Sequence, residues 1–216
     1  MSSAPPSSLV EAASAPLLQS DKTSSGSTSP HSASSPSNQL SRLVLTGFMG
    51  AGKSTVGPLL AARLGWPFLD VDSHIESAHG ASIAELFAQH GEPWFRDLEH
   101  ATIRQLLVEN HPEARPLVLA LGGGAIEDSR TLALLLGTEN TRLIHLEATL
   151  ATVLERCRDT EAQRPILRDH ANLEARYSRR LPLYRQAHLN LPVDALSPEI
   201  VADTLLIHFF PTAQRS

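Results

Sequence analysis

The sequence predicts an α/β domain in which a five-stranded parallel sheet is covered by helices on both faces. Beyond residue 40, five short apolar segments alternate with amphipathic stretches of helical period, which is typical of such sheets. Hydrophobic residues make up 42% of the 216 residues and charged residues 19%, so a sizeable core can form. The length allows one domain, or at most one and a fraction.

The first 40 residues differ sharply in composition from the rest of the chain. They contain 14 Ser, 5 Pro and 5 Ala, and no Phe, Tyr or Trp. Such a segment cannot bury enough apolar surface to offset the entropy lost on ordering. We therefore predict a disordered tail over residues 1–40 and a folded domain over residues 41–216.

In the first half of the domain, turn and capping residues mark the ends of the elements. Gly65 ends a helix, Ser82 and Glu85 form a capping box, Gly91 closes the following turn, and Pro93 suits the first turn of a longer helix. The predicted elements are a strand at 42–46, a helix at 52–64, a strand at 68–70, a helix at 72–79, a helical turn after residue 82 and a helix from 93 to about 108.

The second half continues the alternation of strands and helices. A strand at 117–121 ends in three glycines, and the segment 159–169 is polar, with no strong period. In parallel sheets, ligands bind at the carboxyl ends of the strands, so the loops that follow the strands are the candidate binding segments. The remaining predicted elements are helices at 128–136, 149–158, 172–181 and 198–209, and strands at 142–146 and 188–193.

The strongest motif is the segment 47–54, GFMGAGKS, between a predicted strand and a predicted helix. It matches the phosphate-binding pattern G-x-x-x-x-G-K-[ST], in which backbone N–H groups cradle a polyphosphate, the lysine reaches the outer phosphates and the hydroxyl binds Mg²⁺. No guanine-reading N-K-x-D run is present, and the chain is short for a motor ATPase, so small-molecule kinases remain. The predicted nucleotide-binding residues in this loop are Gly50, Ala51, Gly52, Lys53, Ser54 and Thr55.

Two carboxylates follow the second predicted strand. Asp70 and Asp72 are expected at the ligand-binding edge of the sheet, where one can serve a metal and the other the acceptor hydroxyl. Asp72 has an alternative role as a helix N-cap. Glu76 lies one helical turn further on, and it either orients an arginine or is solvated.

Arginines and glycines complete the set of candidate residues. An acceptor that carries a carboxylate requires arginine, whose planar fork binds two oxygens. The residues alone do not single out Arg96, Arg164 and Arg180 from the other arginines of the chain. Three glycines at the end of a strand allow the backbone to approach a ligand closely.

In combination, these segments resemble the shikimate kinase family over about residues 42–195. The phosphate loop is common to many families, whereas the combination of Asp-x-Asp, Phe-Arg, triple-glycine and Arg-x-Pro-Leu-Tyr elements is far more specific. The resemblance rests on segments 47–55, 68–72, 75–76, 95–96, 98–99, 121–125, 164–167 and 180–184.

The resemblance implies transfer of the γ-phosphoryl group of ATP to the 3-hydroxyl of shikimate. It also implies the fold of nucleoside monophosphate kinases, with sheet order 2-3-1-4-5. Arg96 and Arg180 would then bind the shikimate carboxylate, and Asp72 its ring hydroxyls, either as a base or by positioning alone. The remaining implied binding residues are Gly122, Gly123 and Gly124 for shikimate, and Ser54 with Asp70 for Mg²⁺.

The resemblance further implies a mobile lid at about residues 159–169. Arg164 would lie on this lid and reach the transferring phosphoryl group, beside Lys53. We therefore expect Arg164→Ala to lower kcat far more than it raises the KM for shikimate. Either Arg156 or Arg158 would pack near the adenine, and the sequence leaves that choice open.

Composition excludes several other classes of function. The net charge of −5 argues against a general electrostatic grip on nucleic acid or membrane, and a single cysteine, Cys157, excludes an internal disulfide. We expect a cytoplasmic monomer with shikimate, ATP and Mg²⁺ as partners and with no nucleic-acid or membrane partner. The alternatives are another small-acceptor kinase, for gluconate or a nucleoside monophosphate, and a non-catalytic ATP-binding module.

Overall fold

A computed structural model describes residues 40–109, 116–157 and 170–211, with no side-chain description for residues 170 and 171. Its centre is a parallel five-stranded sheet of order β2-β3-β1-β4-β5, which confirms the predicted order. The predicted tail, apart from Leu40, and the whole predicted lid lie outside the described residues. The strands are β1 (Arg42–Thr46), β2 (Phe68–Asp70), β3 (Leu117–Ala120), β4 (Thr141–Glu147) and β5 (Leu189–Pro192).

Helices cover both sides of the sheet, as predicted. A π-helical turn, Gln105–Glu109, continues the fourth helix, and a 3₁₀ turn, Ala125–Glu127, follows the three glycines. Within the described residues, no helix is long and apolar enough to cross a membrane. The helices are α1 (Lys53–Leu64), α2 (Val71–His79), α3 (Ile83–His90), α4 (Glu92–Arg104), α5 (Ser129–Gly137), α6 (Leu150–Arg156), α7 (His170–Tyr184) and α8 (Pro198–Phe209).

Most predicted boundaries are confirmed to within one or two residues, and the end of α7 is the exception. The sequence predicts that this helix ends at residue 181, before Pro182, and a proline inside a helix removes a helical hydrogen bond. The structure continues the helix through Pro182 to Tyr184. Tyr184 is only 1% exposed, and its hydroxyl donates to the carbonyl oxygen of Gly123 at 2.5 Å. Tertiary packing of this tyrosine thus outweighs the local effect of the proline.

The register of the sheet brings the candidate residues to one edge. Ala120, the last residue of β3, pairs with Leu45 of β1 and with Asp70 of β2. Leu43, Val44 and Leu45 of the central strand have no exposed surface, so this part of the sheet is a fixed core. The phosphate loop after β1, the carboxylates after β2 and the glycines after β3 therefore leave the sheet side by side.

Candidate active site

The phosphate loop after β1 has the backbone conformation that its glycines permit. Gly50 and Gly52 have φ values of 73° and 100°, in the left-handed region that side chains disfavour. A Cβ atom on Gly50 would lie 2.9 Å from the Sγ atom of Cys157, so the back of the loop is tightly packed. Among the described residues, the amides of Gly50, Gly52 and Ser54 donate to no backbone carbonyl. The loop therefore presents N–H groups at the start of α1, where an anion is favoured.

Lys53 and Ser54 lie at the start of α1, beside the second strand. The Lys53 Nζ atom donates to the carbonyl oxygens of Gly47 at 2.7 Å and Phe48 at 3.1 Å. The Ser54 hydroxyl donates to Asp70 Oδ2 at 3.0 Å. A hydroxyl and a carboxylate side by side are oxygen donors of the kind that Mg²⁺ prefers. We call the loop at 47–55 together with Asp70 the nucleotide end of the site.

The two carboxylates after β2 have different surroundings. Asp70 is the N-cap of α2 and accepts the amide of Ser73, so the N-cap alternative for Asp72 is wrong. Asp72 lies in the first turn of that helix. Burial raises the pKa of Asp72, and the negative charge of Asp70 raises it further, while Lys53 lowers it. A carboxyl with a raised pKa is suited to exchanging a proton with an acceptor hydroxyl.

Arg96, on α4, is held in place by two glutamates of the same helix. Its Nη1 atom donates to Glu99 Oε2 at 2.6 Å, and its Nη2 atom donates to Glu92 Oε1 at 3.2 Å. Glu99 is 2% exposed, and burial raises its pKa to about 7 against the opposing effect of Arg96. A Cβ atom on Gly124 would collide with the guanidinium of Arg96, so this glycine makes room for it.

Arg180, on α7, is held by a carboxylate from a distant segment. Its Nε and Nη2 atoms both donate to Glu127 Oε2, at 2.8 Å and 2.6 Å. Its Nη1 atom faces Gly123, lying 3.6 Å from the position that a Cβ atom would take there. The ring of Phe48, in the phosphate loop, lies 5.9 Å from the Arg180 guanidinium. Arg180 therefore connects the phosphate loop with the glycine turn.

We call Asp72, Arg96, Gly122, Gly123, Gly124 and Arg180 the acceptor end of the site. Asp72 belongs to it because a Cβ atom on Gly122 would lie 2.5 Å from Asp72 Oδ1. A cleft of about 980 Å³ joins the two ends. Arg96 lines an adjoining groove of about 450 Å³ instead. The predicted residues that line the main cleft are Gly50, Ala51, Gly52, Lys53, Ser54, Thr55, Asp70, Asp72, Gly123, Gly124 and Arg180.

Three other predictions have separate outcomes. Glu76 Oε1 accepts the amide of Ile83 at 2.9 Å and so caps α3, a role that neither alternative for Glu76 included. Arg156 lines the cleft and donates to the carbonyl oxygens of Val193 at 2.8 Å and Gly50 at 3.4 Å. Arg158 and Arg164 lie outside the described residues, so their predicted roles stay predictions.

Sequence reasoning missed the residues that orient the two arginines. Glu99 lies one helical turn after Arg96, a spacing that favours an ion pair and so offered a usable signal. Glu127 lies 53 residues from Arg180 in the chain, and no local pattern connects them. The hydrogen bond from Tyr184 to Gly123 is equally long-range.

Comparisons with known proteins agree with this geometry. A family model described as shikimate kinase matches residues 49–208. A shikimate kinase from Salinibacter ruber is 40% identical over 74% of this chain and 80% of its own length. One from Persephonella marina is 36% identical over 76% of this chain and 96% of its own. The structure resembles that of shikimate kinase from Acinetobacter baumannii in complex with shikimate, with a TM-score of 0.71, 32% identity and coverage of 82% of this chain and 97% of that one.

Proposed function

Because the chain belongs to the shikimate kinase family, we propose that its cleft transfers the γ-phosphoryl group of ATP to the 3-hydroxyl of shikimate. The products are shikimate 3-phosphate and ADP. The observation that carries this proposal is the convergence of Arg96 and Arg180, from separate helices, on one glycine turn beside the phosphate loop. Two guanidinium groups at one glycine turn beside a phosphate loop suit an acceptor that carries a carboxylate.

The nucleotide end would hold ATP and Mg²⁺. Backbone amides of the loop and Lys53 would bind the phosphates, and Ser54 with Asp70 would hold the metal, directly or through water. Bound Mg²⁺ supplies neutralisation of charge on the phosphate oxygens. The hydroxyl–carboxylate contact of 3.0 Å between Ser54 and Asp70 supports this assignment.

The acceptor end would orient shikimate for attack. Arg96 and Arg180 would bind its carboxylate, and the glycine turn at 122–124 would allow the ring to approach the backbone. Asp72 would accept a hydrogen bond from the 3-hydroxyl and take its proton as the new O–P bond forms. The transition state of phosphoryl transfer is loose, so Asp72 need not be a strong base. Its raised pKa supports this role.

Two parts of the proposal rest on the family resemblance. A lid at residues 159–169 would close over the nucleotide and exclude water that would otherwise hydrolyse ATP. Arg164, on this lid, would stabilise the transferring phosphoryl group. Arg156, which contacts the loop at Gly50, would pack near the adenine. We also propose that the enzyme is a cytoplasmic monomer. Analytical ultracentrifugation, which gives the mass of the particle in solution, tests the oligomeric state.

ADP release, measured by a coupled assay, tests the function. We expect release that depends on shikimate and on Mg²⁺, with no comparable release on addition of gluconate, AMP or CMP. Release that requires one of those acceptors instead would assign another small-molecule kinase. Nucleotide binding without acceptor-dependent release, in protein that retains its cooperative unfolding, would assign a binding module.

A further inference from the structure

Helix α7 directs three arginines toward the acceptor end, and they are engaged very differently. Arg179 and Arg180 both bind Glu127, Arg179 with its Nη2 atom 2.8 Å from Oε1. Arg176, one turn before Arg180, lines the main cleft. Within the parts of the chain that the structure describes, the Arg176 guanidinium makes no hydrogen bond or ion pair. It is therefore a half-buried cation in the cleft without a carboxylate to bind.

The charges around Arg176 place it at the carboxylate-binding side of the acceptor end. Burial lowers the pKa of Arg176, the positive charge of Arg180 lowers it further, and Glu127 and Glu92 raise it. Glu127 binds Arg180, and Glu92 binds Arg96. The two glutamates that act on Arg176 therefore lie beside the two arginines that are predicted to bind the carboxylate of the acceptor. An anion bound between these groups would relieve the repulsion between Arg176 and Arg180.

The two predicted ligands have only part of their hydrogen-bonding capacity available. Glu127 occupies the Nε and Nη2 atoms of Arg180 on one edge of the guanidinium. Glu99 and Glu92 each accept one hydrogen bond from Arg96. A carboxylate offers about four acceptor positions on its two oxygens. A third donor near Arg180 would therefore complete the binding of the acceptor.

We propose that Arg176 is a third ligand of the acceptor carboxylate and acts with Arg96 and Arg180. The inference rests on the proposed function, because it assumes a carboxylated acceptor in this cleft. It assigns Arg176 to binding of the acceptor, and the phosphoryl-transfer step remains with the residues around Lys53.

The test compares Arg176→Gln with Arg185→Gln, a matched loss of one arginine. Arg185 follows the end of α7, is exposed, binds Glu147 and does not line the cleft. We expect Arg176→Gln to raise the KM and the calorimetric Kd for shikimate about tenfold, the loss typical of one charge-assisted hydrogen bond. The kcat and the KM for ATP should change little, Arg176→Lys should recover part of the affinity, and Arg185→Gln should match the parent protein.

A neutral acceptor separates a carboxylate contact from a general effect. The carboxamide of shikimate should bind the parent protein and Arg176→Gln equally, because the proposed ion pair is absent from both complexes. The inference is overturned if Arg176→Gln binds shikimate like the parent, if the carboxamide loses affinity equally, or if kcat falls while KM is unchanged. A parent protein with no shikimate-dependent ADP release would instead overturn the proposed function.

Discussion

The nucleotide end and the acceptor end are built in opposite ways. The nucleotide end is one continuous loop together with Asp70, and its proposed binding groups are mainly backbone amides, in a shape set by Gly50 and Gly52. The acceptor end joins side chains from α2, α4, α7 and the turn after β3, and glutamates hold its arginines in place. The nucleotide end is therefore specified mainly by residues that are neighbours in the sequence, and the acceptor end by contacts between distant segments.

This difference determines how each end should respond to substitution. Phosphate binding by backbone amides should change little when a neighbouring side chain is replaced. The ammonium of Lys53, in contrast, is a charge that no backbone group can replace. An arginine held by a carboxylate is oriented in advance, so less entropy is lost when the acceptor binds. Changes at the nucleotide end should thus lower kcat, and changes at the arginines of the acceptor end should raise the KM for shikimate.

The largest effect is expected from Lys53→Met, at the nucleotide end. Removing this ammonium takes away a charge that would neutralise the phosphate oxygens, so kcat should fall by about 10²–10³-fold, as for other single electrostatic groups. The KM for shikimate should stay near that of the parent. Steady-state kinetics with both substrates varied provides the measurement. A rise in shikimate KM as large as the fall in kcat would show that the two ends are not separable.

Gly124→Ala makes the opposite change, at the acceptor end. The new Cβ atom would collide with the guanidinium of Arg96, which is the far end of a flexible side chain and can move. The fold should survive, and the displaced Arg96 should raise the KM for shikimate about tenfold. At Gly123 a Cβ atom would meet only ordinary contacts, 3.6 Å from Arg180 Nη1 and 3.7 Å from the Tyr184 hydroxyl, so Gly123→Ala should have a much smaller effect.

The reverse order of the two effects on the KM for shikimate would contradict this account of the acceptor end. A larger KM rise for Gly123→Ala than for Gly124→Ala would mean that close approach of the backbone, and not the position of Arg96, controls binding. Melting temperatures of both variants must remain near that of the parent for the kinetics to be compared.

The two ends of the site also differ in how far they could be predicted from the sequence. The phosphate loop follows a local pattern, and the placement of Asp70 and Asp72 follows from the general rule for strand ends, so both were predictable. Arg180 could not be selected from the residues alone, because its partner Glu127 is 53 residues away. Family resemblance identified Arg180, but not the carboxylate that orients it.

In two further places the structure differs from the sequence predictions because of a contact with another element. Glu76 was assigned to an arginine or to solvent, whereas it caps a helix that begins seven residues later. Helix α7 was ended before Pro182, whereas burial of Tyr184 keeps it helical. At Tyr184 a tertiary contact with the acceptor end outweighed the local effect of the proline, and at Glu76 a contact with the next helix replaced both alternatives.

Glu99 should make stability depend on pH at the acceptor end. Its pKa in the folded protein is about 7, above its ordinary value of 4.5. The folded state therefore holds this proton more tightly, so the stabilisation is fully present below about pH 4.5 and is lost as the pH rises through 7. The advantage of the parent over Glu99→Gln in free energy of unfolding should fall by about 3 kcal/mol across this range.

Urea unfolding at intervals between pH 4.5 and 8 gives the difference directly, and other titrating groups largely cancel in the comparison. A difference that is independent of pH would mean that Glu99 is ionised throughout the range. The ion pair with Arg96 would then be permanent, and the acceptor end would be as insensitive to pH as a backbone cradle.

The smallest effect is expected from Gly137→Ala, in a helix that belongs to neither end. Gly137 is the last residue of α5, its φ is negative, and a Cβ atom there would meet nothing within 4 Å. Alanine restricts the unfolded chain without straining the folded one, so the protein should be stabilised by about 0.4–1 kcal/mol. The kinetic parameters should be unchanged, because the residue contacts neither end. If Gly137→Ala altered either KM, then α5 would be coupled to the site through its 3₁₀ connection to Glu127, and the acceptor end would extend beyond the residues that contact the cleft.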